Sequence, residues 1–301
     1  MDTKGGNMKE LTVRARKRRQ AGVTLILPAT MLLMICFAIP LVYAVLISFS
    51  SSNAVMAQKI DFVGIKNYVS ILTNSRFREA LFHTLFFTVT TIILEFIIGF
   101  AVSLLLYTEV PGFRFFKLIM SLPLMVAPVV SGLQWRWLFA DQYGVINYIL
   151  KAIGINPPLW FTTANGSWVT IIVANLWLAT PFVILVLLAG LGGLSENMNE
   201  AARIDGANGR QIFFRIMLPQ LKPTILIILV IRLSDALRIY DLIYILTGGG
   251  PGGKTEVLST YIYKRIFTDL EFGKGQAASF VVMILIAAIS FACNKLMEEK
   301  E

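Results

Sequence analysis

An all-α integral membrane protein with six transmembrane helices is the fold class that the sequence predicts, and three observations carry it. The 301 residues are 56% hydrophobic and only 15% charged, with a mean hydropathy of +0.71, well outside the usual balance of a soluble domain. The apolar residues fall into six runs of roughly 20 residues, the length needed to cross a bilayer. Basic residues concentrate next to those runs, where they set membrane orientation. The net charge of +9 is therefore juxtamembrane and suits anionic lipid headgroups, with no nucleic-acid partner implied.

Residues 1–21 form a basic N-terminal segment carrying Arg14, Arg16, Lys17, Arg18 and Arg19. The first span, about Gly22 to Phe49, is too long for a signal peptide and has no small-residue cleavage site. Pro28 and Pro40 inside it predict a kink or an irregular end. Residues 50–80 form an outer connection containing FVGIKNY at Phe62–Tyr68. The second span, about Thr84 to Tyr107, holds Glu95. Two readings of that carboxylate stand, a hydrogen-bonded structural group and a group facing a solute path. His83, the single histidine, reads as an interfacial residue. A short basic turn from Pro111-Gly112 to Arg114 and Lys117 leads into the third span, about Phe116 to Phe139. There Pro123 and Pro128 free backbone groups that need other partners, and Trp135 and Trp137 suit an aromatic belt.

Residues 141–167 are a turn-rich outer segment, and the fourth span, about Trp168 to Leu191, contains Asn175 and Pro181. The fifth, about Thr224 to Leu246, carries Arg232, Asp235, Arg238 and Asp241 at intervals of three, so that neighbours along the helix alternate in charge. An internal salt-bridge ladder and the lining of a watery cavity are both open readings; intramembrane charges favour the second. Glu95, Asn175, Arg232, Asp235, Arg238, Tyr240 and Asp241 are the candidate translocation-path residues. The last span, about Gly275 to Ala292, opens with the small residues Ala277, Ala278 and Ser279, which permit close helix packing. The domain reading is a six-helix domain over 22–296 with a loop at 192–222 and a tail at 297–301. Parity places both termini and that loop in the cytoplasm. Cys36 and Cys293 lie in apolar runs near opposite ends and read as inert small residues buried in the membrane, not as a disulfide.

The loop Glu200–Pro223 reads EAARIDGANGRQIFFRIMLPQLKP and has the punctuation of two short helices. Asn197 with Glu200 predicts a capping box, and Asp205-Gly206 a stop with Gly206 left-handed. Asn208 with Gln211 starts a second helix whose apolar face is Ile212, Phe213, Ile216 and Met217. Pro219 and Pro223 end it and open the fifth span. The series Glu200-Ala201-Ala202, Asp205-Gly206-Ala207, Phe213, Ile216, Leu218-Pro219 and Pro223 resembles the EAA loop of binding-protein-dependent ABC importer permeases, in particular their carbohydrate branch. FVGIKNY, the stretch from Leu122 through Pro128, Trp135, Gly144, Asn147 and Trp160, and LTGGGP at Leu246–Pro251 resemble the same branch, so the likeness spans about residues 22 to 292.

The resemblance implies the type I importer permease fold in a bacterial or archaeal plasma membrane. It also implies a second permease, a cytoplasmic ATPase dimer, an extracytoplasmic solute-binding protein and a sugar or oligosaccharide substrate. It makes Glu200, Ala201, Ala202, Asp205, Gly206, Ala207, Phe213 and Pro219 the ATPase-coupling residues. Arg232 and Arg238 suggest an acidic, uronate-containing sugar.

Gly248–Thr255, GGGPGGKT, matches the phosphate-loop pattern letter by letter, yet Pro251 removes a backbone donor that such a loop needs. No metal site, nucleophile elbow or catalytic triad can be assembled around one histidine, so no enzyme activity or cofactor is expected. A stand-alone secondary transporter or channel is the alternative, and it predicts internal repeats and broken helices in matching halves.

Overall fold

The computed structural model describes residues 3–51, 61–107, 112–194 and 196–298. Helix α1 (Thr3–Ser48) is followed by α2 (Lys66–Thr73), α3 (Ser75–Tyr107), α4 (Phe113–Ser121), α5 (Pro128–Leu138), α6 (Val145–Ala152) and α7 (Ala164–Gly192). After these come α8 (Glu196–Ile204), α9 (Gly209–Ile212), α10 (Leu218–Gln220), α11 (Lys222–Leu237), α12 (Asp241–Leu246), α13 (Leu258–Tyr263) and α14 (Phe272–Glu298). Among the described residues the β-structure is one isolated bridge, Ser50 with Phe62.

Four stretches are long and apolar enough to cross a bilayer uninterrupted: Thr24–Ser48, Ser75–Tyr107, Ala164–Gly192 and Phe272–Ala292. Two further passes are bent, which brings the total to the six expected. In the third, Phe115–Met125 and Pro128–Leu138 meet at 102°, where the sequence suggests a continuous span. At the break, Ala127 precedes Pro128 and is extended (ψ 140°), as the residue before a proline prefers. The fifth pass is also shorter than expected. α11 stops at Leu237, spanning about 24 Å at the usual helical rise, and the backbone is irregular over Arg238–Tyr240 before α12 resumes. Ser259 Oγ donates to the Ile239 carbonyl in that gap, giving a partner to a group that the broken helix releases. By contrast, α1 runs unbroken through Pro28 and Pro40, and α7 through Pro181.

The centre of the molecule is the α3–α7 pair. Gly99 lets the two helices approach until an added Cβ would lie 2.6 Å from Val183 Cγ1. Phe87, Ile171 and Ala174 continue this seam into a buried cluster with Ala236, Leu242, Ile243, Leu246 and Val257. Ala277 and Ala278 bring α14 against Ile71, Phe77, Ala80, Leu258 and Tyr261. The FVGIKNY motif closes the end of α1: Asn67 Nδ2 donates to the carbonyls of Ser48 and Ser50, both at 2.9 Å, and the Ser48 and Tyr68 hydroxyls meet at 2.7 Å. The side chains of α1 between residues 24 and 46 are nearly all exposed.

Candidate functional site

The loop after α7 folds with two of its three predicted caps, those at Gly206 and Asn208. α8 begins at Glu196, so Asn197 sits inside the helix instead of capping it; its side chain, like those of Cys293 and Arg114, and all of Pro111, fall outside the described part. The end of α8 is a Schellman motif. Gly206 is left-handed (φ +82°), the Ala207 N–H reaches the Ala202 carbonyl at 2.9 Å, and the Gly206 N–H reaches that of Arg203 at 3.1 Å. Asn208 then caps α9 with a complete box: its side chain accepts from the Gln211 N–H at 2.9 Å, while Gln211 Oε1 accepts from the Asn208 N–H at 2.8 Å.

From there the chain passes through a π turn (Phe213–Met217) into α10, which holds Pro219 at its start. The path then bends by 65° into α11. A π turn places an extra residue in the ladder, just ahead of the proline that could not have donated to it.

This knob is seated by its apolar face. Ile212, Met217, Leu191 and Leu221 are buried together, and Phe213, Ala202 and Ala207 of the knob and Phe100, Leu104 and Tyr107 of α3 pack, partly buried, against that cluster. Phe213 meets the Phe100 ring edge-on at 6.0 Å. The opposite side is open: Glu200, Ala201, Asp205, Gly206 and Pro219 are exposed, and Ile204 projects with 86% of its surface free. Ile204 was not legible as a site residue from its sequence, where it is one apolar position within an amphipathic helix.

The second cluster lies where α3, α7 and α11 meet. Glu95 is fully buried and accepts a two-pronged contact from Arg232, Nε to Oε2 at 2.7 Å and Nη2 to Oε1 at 2.9 Å. Asn175 Nδ2 donates to Oε1 at 2.9 Å. The remaining arm of Arg232, Nη1, reaches Asp235 Oδ2 at 3.2 Å, and Asp235 Oδ1 lies 3.7 Å from Arg238 Nη2. Of the four charges along the fifth span, Arg232, Asp235 and Arg238 are linked in series and Asp241 is not. Arg232 pairs first across to α3, and Asp241, beyond the helix break, opens α12 separately. An acidic residue is favourable at a helix start.

Arg238 and Tyr240 line a cavity of about 540 Å³ together with Leu237, Ser259, Tyr263 and Met283. Tyr240, Tyr244 and Tyr263 form a ring cluster with centroids 5.2 to 5.3 Å apart, and Phe267 extends it at 4.9 Å from Tyr263.

At the far end from the knob, Glu256 joins the glycine loop to α3. Arg76 holds its carboxylate at 2.6 and 2.9 Å, Lys264 at 3.0 Å, and His83 Nδ1 meets its main-chain oxygen at 3.0 Å. Burial pushes the Glu256 carboxyl up, but Arg76 and Lys264 outweigh this and hold it below the usual carboxylate range. The adjoining Gly248–Thr255 stretch is not arranged to cradle a phosphate. The N–H groups of Gly250, Lys254, Thr255 and Glu256 are spent on carbonyls of the loop itself, and the Thr255 hydroxyl donates to the Gly250 carbonyl at 2.6 Å.

Comparison with known proteins accords with this architecture. The family model described as binding-protein-dependent transport system inner membrane component matches residues 96–298. The trehalose/maltose transport system permease protein MalF of Thermococcus litoralis is 33% identical over 282 residues, covering 93% of this chain and 95% of that protein. The sulfoquinovosyl glycerol transport system permease protein SmoG of Agrobacterium fabrum is 30% identical, covering 94% and 92%. Among solved structures, a chain of a bacterial ABC transporter that imports the acidic polysaccharide alginate superposes with a TM-score of 0.82 at 23% identity, covering 96% of this chain and 99% of that one. A second alginate transporter structure, in complex with alginate pentasaccharide-bound periplasmic protein, gives 0.79 at 24% identity. Six membrane passes, a glycine-hinged loop between the fourth and fifth, and a family match over two-thirds of the sequence make this chain a permease subunit, a member of the binding-protein-dependent transport system inner membrane component family.

Proposed function

We propose that the chain forms half of the translocation path of an ATP-driven importer for a sugar or oligosaccharide. The observation that carries this reading is the knob: a doubly capped elbow seated on α3 and α7, with Ile204 and the small residues Ala201 and Gly206 facing outward. An exposed apolar tip flanked by small residues suits a groove on another protein. A cytoplasmic ATPase dimer is the partner that suits a permease whose one phosphate-loop-like stretch, Gly248–Thr255, turns its backbone N–H groups onto the loop itself. α11 continues from the knob through the 65° bend, so movement at Glu200–Ala207 reaches the fifth span through Phe213 and Pro219.

The opposite end, built on residues 61–80 and 247–271, faces an extracytoplasmic binding protein, and both termini are cytoplasmic. The exposed α1 surface meets lipid and a second, different permease. Asp235, Arg238, Tyr240 and Asp241 line the path. Glu95, Asn175 and Arg232 stand behind them and fasten α11 to α3 and α7. The sugar class is supported by the names of relatives such as MalF and by the tyrosine cluster beside Arg238, since ring faces suit the apolar face of a pyranose. The test is purification from native membranes, in which an ATPase and a second permease should accompany the chain. Sugar movement by the lone chain in liposomes without ATP would refute the reading.

A further inference from the structure

Arg232 and Arg238 suggested from sequence a pull on an anionic glycan, and the geometry argues for the opposite sign. Arg232 is committed to Glu95 through two hydrogen bonds, and its third arm is on Asp235. Arg238 donates Nε–H to the Ser234 carbonyl at 3.0 Å and lies 3.7 Å from Asp235. Two guanidinium groups therefore face two carboxylates and sum to zero, while Asp241, exposed in the first turn of α12, adds a negative charge nearby. The rest of the cavity that Arg238 lines is uncharged: Leu237, Tyr240, Ser259, Ile262, Tyr263 and Phe267 among others.

The Arg238 guanidinium is exposed, with the half-exposed Asp235 carboxylate 3.7 Å from its Nη2, so an anionic sugar that approaches Arg238 also meets Asp235. We propose that Asp235 is a specificity-determining residue. By cancelling Arg238 it makes this half of the path accept neutral glycans and turn anionic ones away. The inference rests on the path assignment made above.

The sign of the cavity can be read without knowing the sugar. In the assembled importer, with Cys36 and Cys293 replaced by serine, Met283→Cys puts a thiol on the cavity wall. Its modification rates by an anionic and a cationic methanethiosulfonate reagent are each divided by the rate with a free small thiol. The normalised anionic-to-cationic ratio should be near or below one. Asp235→Asn, which leaves Arg238 unbalanced, should raise it on the order of tenfold at low salt, shrinking as ionic strength rises. Arg238→Gln should lower it. A ratio well above one with Asp235 present, or one indifferent to Asp235→Asn, overturns the specificity inference. A thiol that neither reagent reaches overturns the path assignment beneath it, because the cavity would then be closed to water.

Discussion

Replacing Glu95 with glutamine removes a charge from a place where water cannot compensate for it. The carboxylate has no exposed surface and takes two bonds from Arg232 and one from Asn175. The amide can keep the Asn175 bond but leaves the Arg232 guanidinium with Asp235, at 3.2 Å and half-exposed, as its sole counter-charge. Breaking a buried pair by removing one member costs about 3–5 kcal/mol. Because Asp235 remains, the lower end applies: about 3 kcal/mol, or on the order of a hundredfold in the folding equilibrium. The measurement is unfolding of the purified permease in mixed micelles with SDS as denaturant, followed by tryptophan fluorescence. Adding Arg232→Met should restore at least half of the loss, since apolar replacement of both partners is often neutral. A Glu95→Gln cost below about 1 kcal/mol, the size of a surface pair, would refute the clasp. So would full stability with lost uptake, which would move Glu95 from a fastening role to direct contact with the solute.

Three other outcomes follow from the knob and the outer end. Gly206→Val forces a β-branched residue into a left-handed backbone, a strain of roughly 1–2 kcal/mol; uptake should fall at least about tenfold with the chain still inserted, and unchanged sugar uptake in vesicles would contradict the coupling role. Ile204→Ser truncates the exposed tip; if it is an interface anchor worth over about 1 kcal/mol, ATPase recovered with the permease should drop several-fold on affinity purification. Glu256 is held below its usual range by Arg76 and Lys264. A depressed carboxylate contributes stability that is complete above its unfolded value of about 4.3 and is lost as pH falls through the lower folded value. Wild-type unfolding midpoints should therefore fall in that acid window. Glu256→Gln should be less stable at pH 7 and should lack the acid-dependent part of the loss.

The elements that could be read from the chain are those whose cause is local. The Gly206 elbow, the Asn208–Gln211 cap and the apolar side of the second knob helix each depend on residues within about five positions of one another. The number of passes follows from runs of apolar residues long enough for a bilayer. Two features have causes that lie far apart in the chain. Pro28 and Pro40 leave α1 continuous, whereas the residues around Pro128 turn the third pass by 102°, and only the surrounding helices determine which proline does which. The Arg232–Asp235 and Asp235–Arg238 neighbours were legible in the charged stripe, but the pair that buries Arg232 was not: Glu95 and Arg232 are 137 residues apart, and no spacing rule links positions at that distance.

What the amino-acid order determined alone was membrane insertion, the helical passes and the bent loop, because hydrophobic length and backbone capping act within one segment. Folding in three dimensions decided which charges cancel, where the fifth helix breaks and that Ile204 stands free. Those outcomes depend on how each helix is rotated against its neighbours, and packing sets that rotation.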